Sequence, residues 1–135
     1  MDNLFETPET VSIRYIVNDV KAVVKFYTEL LAFEVKMNPP SGFAMLTKGN
    51  IRLLLNEPGA GGAGQSMPDG TAPEPGGWNR IVFNTPDIQA AIDFLKSKNA
   101  RFRNEIVEGF GGKQILLLDP SGNLVELVEP NRQEV

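Results

Sequence analysis

Glu126 is the residue whose setting most demands a chemical account. It interrupts the apolar run Leu124-Val125-Glu126-Leu127-Val128, and in a strand the period of two puts Leu124 and Val128 on its own face, so its carboxylate points inward. A carboxylate taken out of water is costly unless a partner neutralises it. Arg14 and Arg80 occupy inward-facing strand positions, which predicts an Arg–Glu pair with one of them. Two readings stand for such a pair. It is either a polar anchor for a ligand carboxylate, phosphate or hydroxyl, matched to arginine's planar fork, or an ion pair that only holds the fold together. Trp78 and Phe43 are candidate platforms for an apolar or aromatic ligand, with core packing the plainer expectation for both. Gln114 is a candidate hydrogen-bonding group on a strand. Glu105 and Glu108 are read as solvated, since nothing sets them up as an acid–base pair.

The chemistry that is missing narrows the field further. The chain has no cysteine and no histidine. Disulfides and thiolate zinc sites are therefore excluded, as are the commonest metal ligand and the side chain best tuned for proton transfer near neutrality. With a net charge of -4 and 22% charged residues, no basic face offers itself to nucleic acid. No stretch approaches the roughly 20 apolar residues of a membrane helix. The start, Met-Asp-Asn-Leu-Phe-Glu, lacks the basic-then-apolar pattern of a secretory signal. A cytoplasmic protein is the expectation, with no nucleic-acid or membrane partner.

The elements that must position these residues follow from periodicity. Val11 to Val17 alternates as a strand with Ile13, Tyr15 and Val17 on one face. Asn18 and Asp19 start a helix whose stripe is Val20, Val23, Val24, Tyr27, Leu30 and Leu31, and this helix is expected on the Ile13/Tyr15/Val17 face. Residues 33–37, 42–48 and 50–56 read as three more strands separated by turn residues. From 57 to 77 the chain is rich in glycine and proline and reads as a linker or mobile loop. It is no phosphate loop, because no Gly-Lys-Ser/Thr ending appears. Residues 78–84 read as a strand, and Thr85-Pro86-Asp87 as a helix entry with Thr85 as cap and Pro86 at the first helical position. Ile88, Ala91, Ile92 and Leu95 carry the second helix. Strands are expected at 100–103, 113–118 and 124–129, with a further short strand or irregular segment at 105–108, and Asp119 to Asn123 as a turn.

The order β-α-β-β-β thus occurs twice, at 1–56 and 78–135, with 57–77 between. An offset of 68 (87 minus 19) carries Asp19 to Asp87, Ile13 to Ile81, Ala22 to Ala90 and Phe26 to Phe94, all identities. Near the end of each half the offset becomes 73 (122 minus 49), pairing Gly49-Asn50 with Gly122-Asn123. Two copies of one unit, each with an open sheet face, are the physical reading.

With Val17-Asn18-Asp19-Val20 leading to Phe26-Tyr27 and Leu30-Leu31-Ala32-Phe33, and with Asp119-Pro120-Ser121-Gly122-Asn123-Leu124-Val125-Glu126-Leu127, the chain resembles the vicinal-oxygen-chelate superfamily. That superfamily includes glyoxalase I, the bleomycin- and fosfomycin-resistance proteins and the extradiol dioxygenases. The resemblance implies an α+β fold of two βαβββ modules forming an incomplete barrel around a central cavity, and a homodimer. It also implies that metal-dependent relatives place their ligands at positions that fall here on Ser12, Leu53, Arg80 and Glu126, or on Val82 in a second register. Only Glu126 is a good donor. Leu53 and Val82 cannot donate, and Arg80 brings a fixed positive charge, so no metal and no cofactor is expected. Three functions follow: a metal-free binder of a small, partly apolar molecule; a lyase, isomerase or dioxygenase of the same fold with Glu126 as general base; or a structural module without a ligand. Fold alone does not choose among them. The glycines around Phe110 suggest either a hinged flap or a plain strand-connecting turn.

Overall fold

A computed structural model describes residues 4–131. Met1 to Asn3, which belong to the start read for a signal, and the outer ends of the two expected modules lie outside the described residues. The chain divides into two compact units, Met1–Glu74 and Pro75–Val135.

In the first unit β1 (Val11–Ile16) leads into α1 (Val20–Leu31), followed by β2 (Glu34–Met37), β3 (Phe43–Lys48) and β4 (Ile51–Asn56). The sheet order is β1-β4-β3-β2, with β1 and β4 parallel and the remaining pairs antiparallel. Asp19 caps α1, its side chain accepting from the amides of Lys21 and Ala22, which satisfies donors that the first helical turn leaves unpaired. The helix ends at Ala32, in the left-handed region at φ 60°, where the Phe33 amide reaches back to the Tyr27 carbonyl. As the alternation predicts, Tyr15 and Val17 are buried together with Val20, Val23, Val24 and Tyr27. The fully buried Tyr27 ring meets Phe26 and Phe33 edge-on, with centroids 5.1 and 5.5 Å away. Burying a side chain of this size contributes about 1.5–3 kcal/mol.

The second unit repeats the plan with one strand more: β5 (Ile81–Asn84), α2 (Ile88–Ser97), β6 (Arg101–Phe102), β7 (Val107–Gly109), β8 (Gly112–Leu118) and β9 (Leu124–Pro130). Its order is β5-β9-β8-β6, with β7 also on β8 and β5 parallel to β9. Ile88, Ile92 and Leu95 of α2 are buried, as are Ile81, Ile115, Leu117, Val125 and Leu127 on alternating strand positions. The α+β class and the doubled plan are therefore those expected from the sequence.

Several local expectations need correction. Asp87, not Thr85, caps α2, accepting from the Ala90 amide, and the helix begins at Ile88 rather than Pro86. Thr85 instead accepts from the Asp87 amide. The fifth strand begins at Ile81 rather than at Trp78, because Gly76 and Gly77 turn the chain at φ 107° and 94° and the Gly76 amide is taken by the Asn123 side chain at 2.7 Å. The sixth strand is two residues long because the Asn104 side chain, not a backbone carbonyl, accepts the Leu116 amide. The glycine-rich segment after β4 is knitted by its own hydrogen bonds. Gly59 donates to Gly64, Gly64 to Ala60, and the Gln65 amide to Gly59 and Gly61, while Ala60 is buried.

Candidate functional site

β9 lies between β5 and β8, so each of its residues has a neighbour on both sides: Glu126 stands beside Val82 and Leu116. The alternation that sends Val125 and Leu127 toward α2 sends Glu126 to the opposite face, along with Arg80, Val82, Gln114 and Leu116. Glu126 is only 8% exposed. Arg80 meets it there, donating from Nε at 2.9 Å and Nη2 at 2.7 Å. Both donors converge on Oε1, and among the described residues no buried polar side-chain atom lacks a partner. Oε2, which takes neither of these bonds, is therefore not sealed from solvent, and Glu126 lines a small cavity. That cavity, of about 150 Å³, is lined by Arg80, Asn104, Val107, Gln114, Ile115, Leu116 and Glu126.

Arg80 is tied from a second direction, since its Nη1 donates to the Trp78 carbonyl at 3.0 Å. Trp78 is 61% exposed and so does not follow the core-packing expectation. Its ring lies under the Arg103 guanidinium, 4.5 Å from the centroid. The Asp119 to Asn123 turn anchors this segment. Buried Asp119 accepts from the amides of Ser121 and Asn123, and Asn123 in turn holds Gly76. The signature turn thus does structural work just before β5. Asn104 and Arg103 were missed in the sequence because both act through contacts across the sheet, on Leu116 and Trp78.

The remaining candidate site residues, Ser12, Arg14, Phe43 and Leu53, fall in the first unit. Ser12, Arg14 and Phe43 share its open sheet face with Arg52, Leu54 and Asn56. Ser12 accepts from Arg52 at 3.3 Å, and Arg14 donates to Asn56 at 2.6 Å. Of the two arginines considered for Glu126, Arg80 makes the pair and Arg14 has its own partner. Leu53 does not lie on this open face. It is fully buried and pairs with Ile13, in the layer that packs on α1. Ile81, the repeat of Ile13, pairs with Val125, so Leu53 matches Val125 and the match for Glu126 is Leu54. The offset in the last strand is 72 (126 minus 54) rather than the 73 of the preceding turn. A slip of one residue moves a side chain to the other face of a sheet. Phe110, at the β7–β8 turn, is fully exposed, and its carbonyl is held by the Asn131 amide group at 3.0 Å.

The repeat also has a feature the sequence concealed. Glu57, just after β4, accepts the Val20 amide at 2.8 Å, and Glu129, at the matching place in β9, accepts the Ile88 amide at 2.9 Å. Each helix start is therefore capped by its own aspartate and by a glutamate at or just past the end of its unit's last strand. Among the described residues no group of three or more acidic side chains converges as a cation would require. At Glu126 the Arg80 guanidinium already holds one of the two carboxylate oxygens.

This doubled strand–helix–sheet architecture, with a polar centre on an open sheet face, is that of the glyoxalase-like proteins. The family model described as Glyoxalase/Bleomycin resistance protein/Dioxygenase superfamily matches residues 10–127, and the chain belongs to that superfamily. A solved member of the superfamily from Sphaerobacter thermophilus is 25% identical, with a TM-score of 0.71 over 91% of this chain and 98% of the other. An antibiotic binding protein from a Streptomyces species is 17% identical and shares the fold, with a TM-score of 0.68 over 94% of this chain and 99% of its own. The beta subunit of ATP-dependent 6-phosphofructokinase from Saccharomyces cerevisiae is 30% identical over 121 residues, 82% of this chain. The chain spans only 12% of the length of that relative.

Proposed function

We propose that this protein binds a small, partly apolar molecule at the open face of its second sheet, without a metal ion, through the Glu126–Arg80 pair. The observation that carries this reading is the asymmetry of the pair: Arg80 takes Oε1 alone and leaves Oε2 to accept an O–H or N–H from a ligand. Val107 and Leu116 supply apolar contact beside it, and Asn104 and Gln114 supply amides. An apolar lining with a few convergent polar groups suits recognition of a small molecule. The donor set argues against a resident cation, since one carboxylate already bound to a guanidinium makes a poor ligand group. Binding of an antibiotic by a structural neighbour supports the same class of function. A cytoplasmic homodimer is part of the proposal.

The test is a thermal-shift screen of small aromatic and polycyclic compounds, followed by calorimetry, together with elemental analysis of the purified protein. A ligand that binds the folded state raises the melting temperature. Glu126→Gln is expected to weaken the hits it finds. A stoichiometric, chelator-resistant divalent ion, or hits indifferent to Glu126→Gln, would overturn the reading. The accessible Oε2 also favours a second function, in which Glu126 removes a proton from a bound substrate. Turnover of a screened compound that is lost in Glu126→Gln, with binding retained, would select it.

A further inference from the structure

The Arg80–Glu126 pair is neutral as a unit, but the row of side chains crossing the second sheet is not. On its far side stands Arg103, whose backbone amide donates to the Leu116 carbonyl, next to the strand position facing Glu126. Its guanidinium rests on the Trp78 ring at 4.5 Å. A cation–π contact uses the face of the guanidinium and leaves its rim of N–H donors free. No carboxylate forms a salt bridge with Arg103 among the described residues. Trp78 is held in turn, its carbonyl by Arg80 and the chain before it by Asn123. One positive charge with unspent donors is thus held, by a ring that is itself anchored, on a residue adjoining two members of the cavity lining, Asn104 along the chain and Leu116 across the sheet.

We propose that the ligand of this site is a small planar organic carboxylate, whose carboxylate is taken by Arg103 while its ring lies beside Val107 and Leu116, with Trp78 as the residue that positions Arg103. This rests on the reading of the second sheet as a binding site and adds the charge of what binds. A carboxylate suits the fork of an arginine, and a cavity of about 150 Å³ is on the scale of a single ring rather than a polycyclic body. A cationic ligand would meet the unbalanced Arg103, and a neutral one would leave its donors unused.

The chain has one tryptophan, so its fluorescence and its single indole N–H resonance report on this contact directly. 4-Hydroxybenzoate and its neutral counterpart 4-hydroxybenzamide, each with a phenol O–H to offer Oε2 of Glu126 and called benzoate and benzamide below, would be titrated into the full-length protein at millimolar concentrations, following both signals. Benzoate is expected to move them saturably and to bind about tenfold or more tightly than benzamide, the scale of one charge-assisted hydrogen bond. Arg103→Gln is expected to erase that preference, Arg103→Lys to keep part of it, and Trp78→Leu, followed by ligand-observed NMR, to weaken benzoate while leaving benzamide nearly unchanged. Equal binding of the two compounds, or a preference that survives Arg103→Gln, overturns the anionic ligand yet leaves the binding site standing. No saturable response to either compound overturns the proposal. Loss of all binding in Glu126→Gln alone, with Arg103→Gln silent, keeps the site and refutes the role of Arg103.

Discussion

Replacing Arg80 by methionine should destabilise the protein far more than its place near the surface suggests, and replacing Glu126 as well should restore most of the loss. The charges of the pair lie 2.7 Å apart, which at an effective dielectric of about 20 corresponds to roughly 6 kcal/mol of attraction. Much of that is offset by the cost of taking the carboxylate out of water. The Glu126 side chain is 11% exposed and that of Arg80 30%, so water screens one partner and not the other. Arg80→Met leaves a buried carboxylate without its counter-ion and should cost roughly 2–3 kcal/mol, just below the range for breaking a fully buried pair, because Arg80 is partly wet. For a chain of this length that lowers the melting temperature by on the order of 10 °C. In Arg80→Met/Glu126→Leu the new leucine has Val82 and Leu116 for neighbours, and stability should return to within about 1 kcal/mol of the parent. The assay is a double-mutant cycle by urea and thermal unfolding. If Arg80→Met behaves as an ordinary surface change within about 0.5 kcal/mol, or if the two substitutions simply add, the pair is not the electrostatic centre described here.

The register of the first sheet predicts opposite fates for adjacent residues: Leu53→Asp, on the fully buried layer, should abolish folding, while Leu54→Asp, on the open face, should leave a folded protein by circular dichroism. Equal damage from both would refute the assignment. A Cβ on Gly112 would lie 2.2 Å from the Glu129 carbonyl oxygen at φ +142°, whereas one on Gly111 meets nothing within 4 Å. Gly112→Ala should therefore lower stability by at least about 1–3 kcal/mol, with Gly111→Ala near neutral on the same melting curves. Glu57→Ala and Glu129→Ala each remove a carboxylate from a helix start and should each cost about 0.5–2 kcal/mol. Indifference of the melting temperature to both substitutions would show that the aspartate caps suffice alone.

What the sequence determined by itself is whatever depends on near neighbours along the chain. Period-two and helical spacing gave the doubled order of strands and helices and set Glu126 on the sheet face opposite Val125 and Leu127, because the side of an element a residue occupies follows from its own segment. Composition limited the metal donors before any geometry was known, since a chain without histidine or cysteine has only oxygens to offer. Tertiary structure decided partners and register. Arg14 and Arg80 looked equivalent in their strands, and only strand pairing gave Glu126 to Arg80 and Asn56 to Arg14. Leu53 and Leu54 could not be told apart by an offset taken from a turn one residue away, yet pairing with Ile13 fixed which one faces the helix. The contact of Arg103 with Trp78 and the two glutamate caps join residues far apart along the chain. Such contacts leave no periodic trace, because they depend on how strands align across a sheet rather than on the order of residues within any one of them.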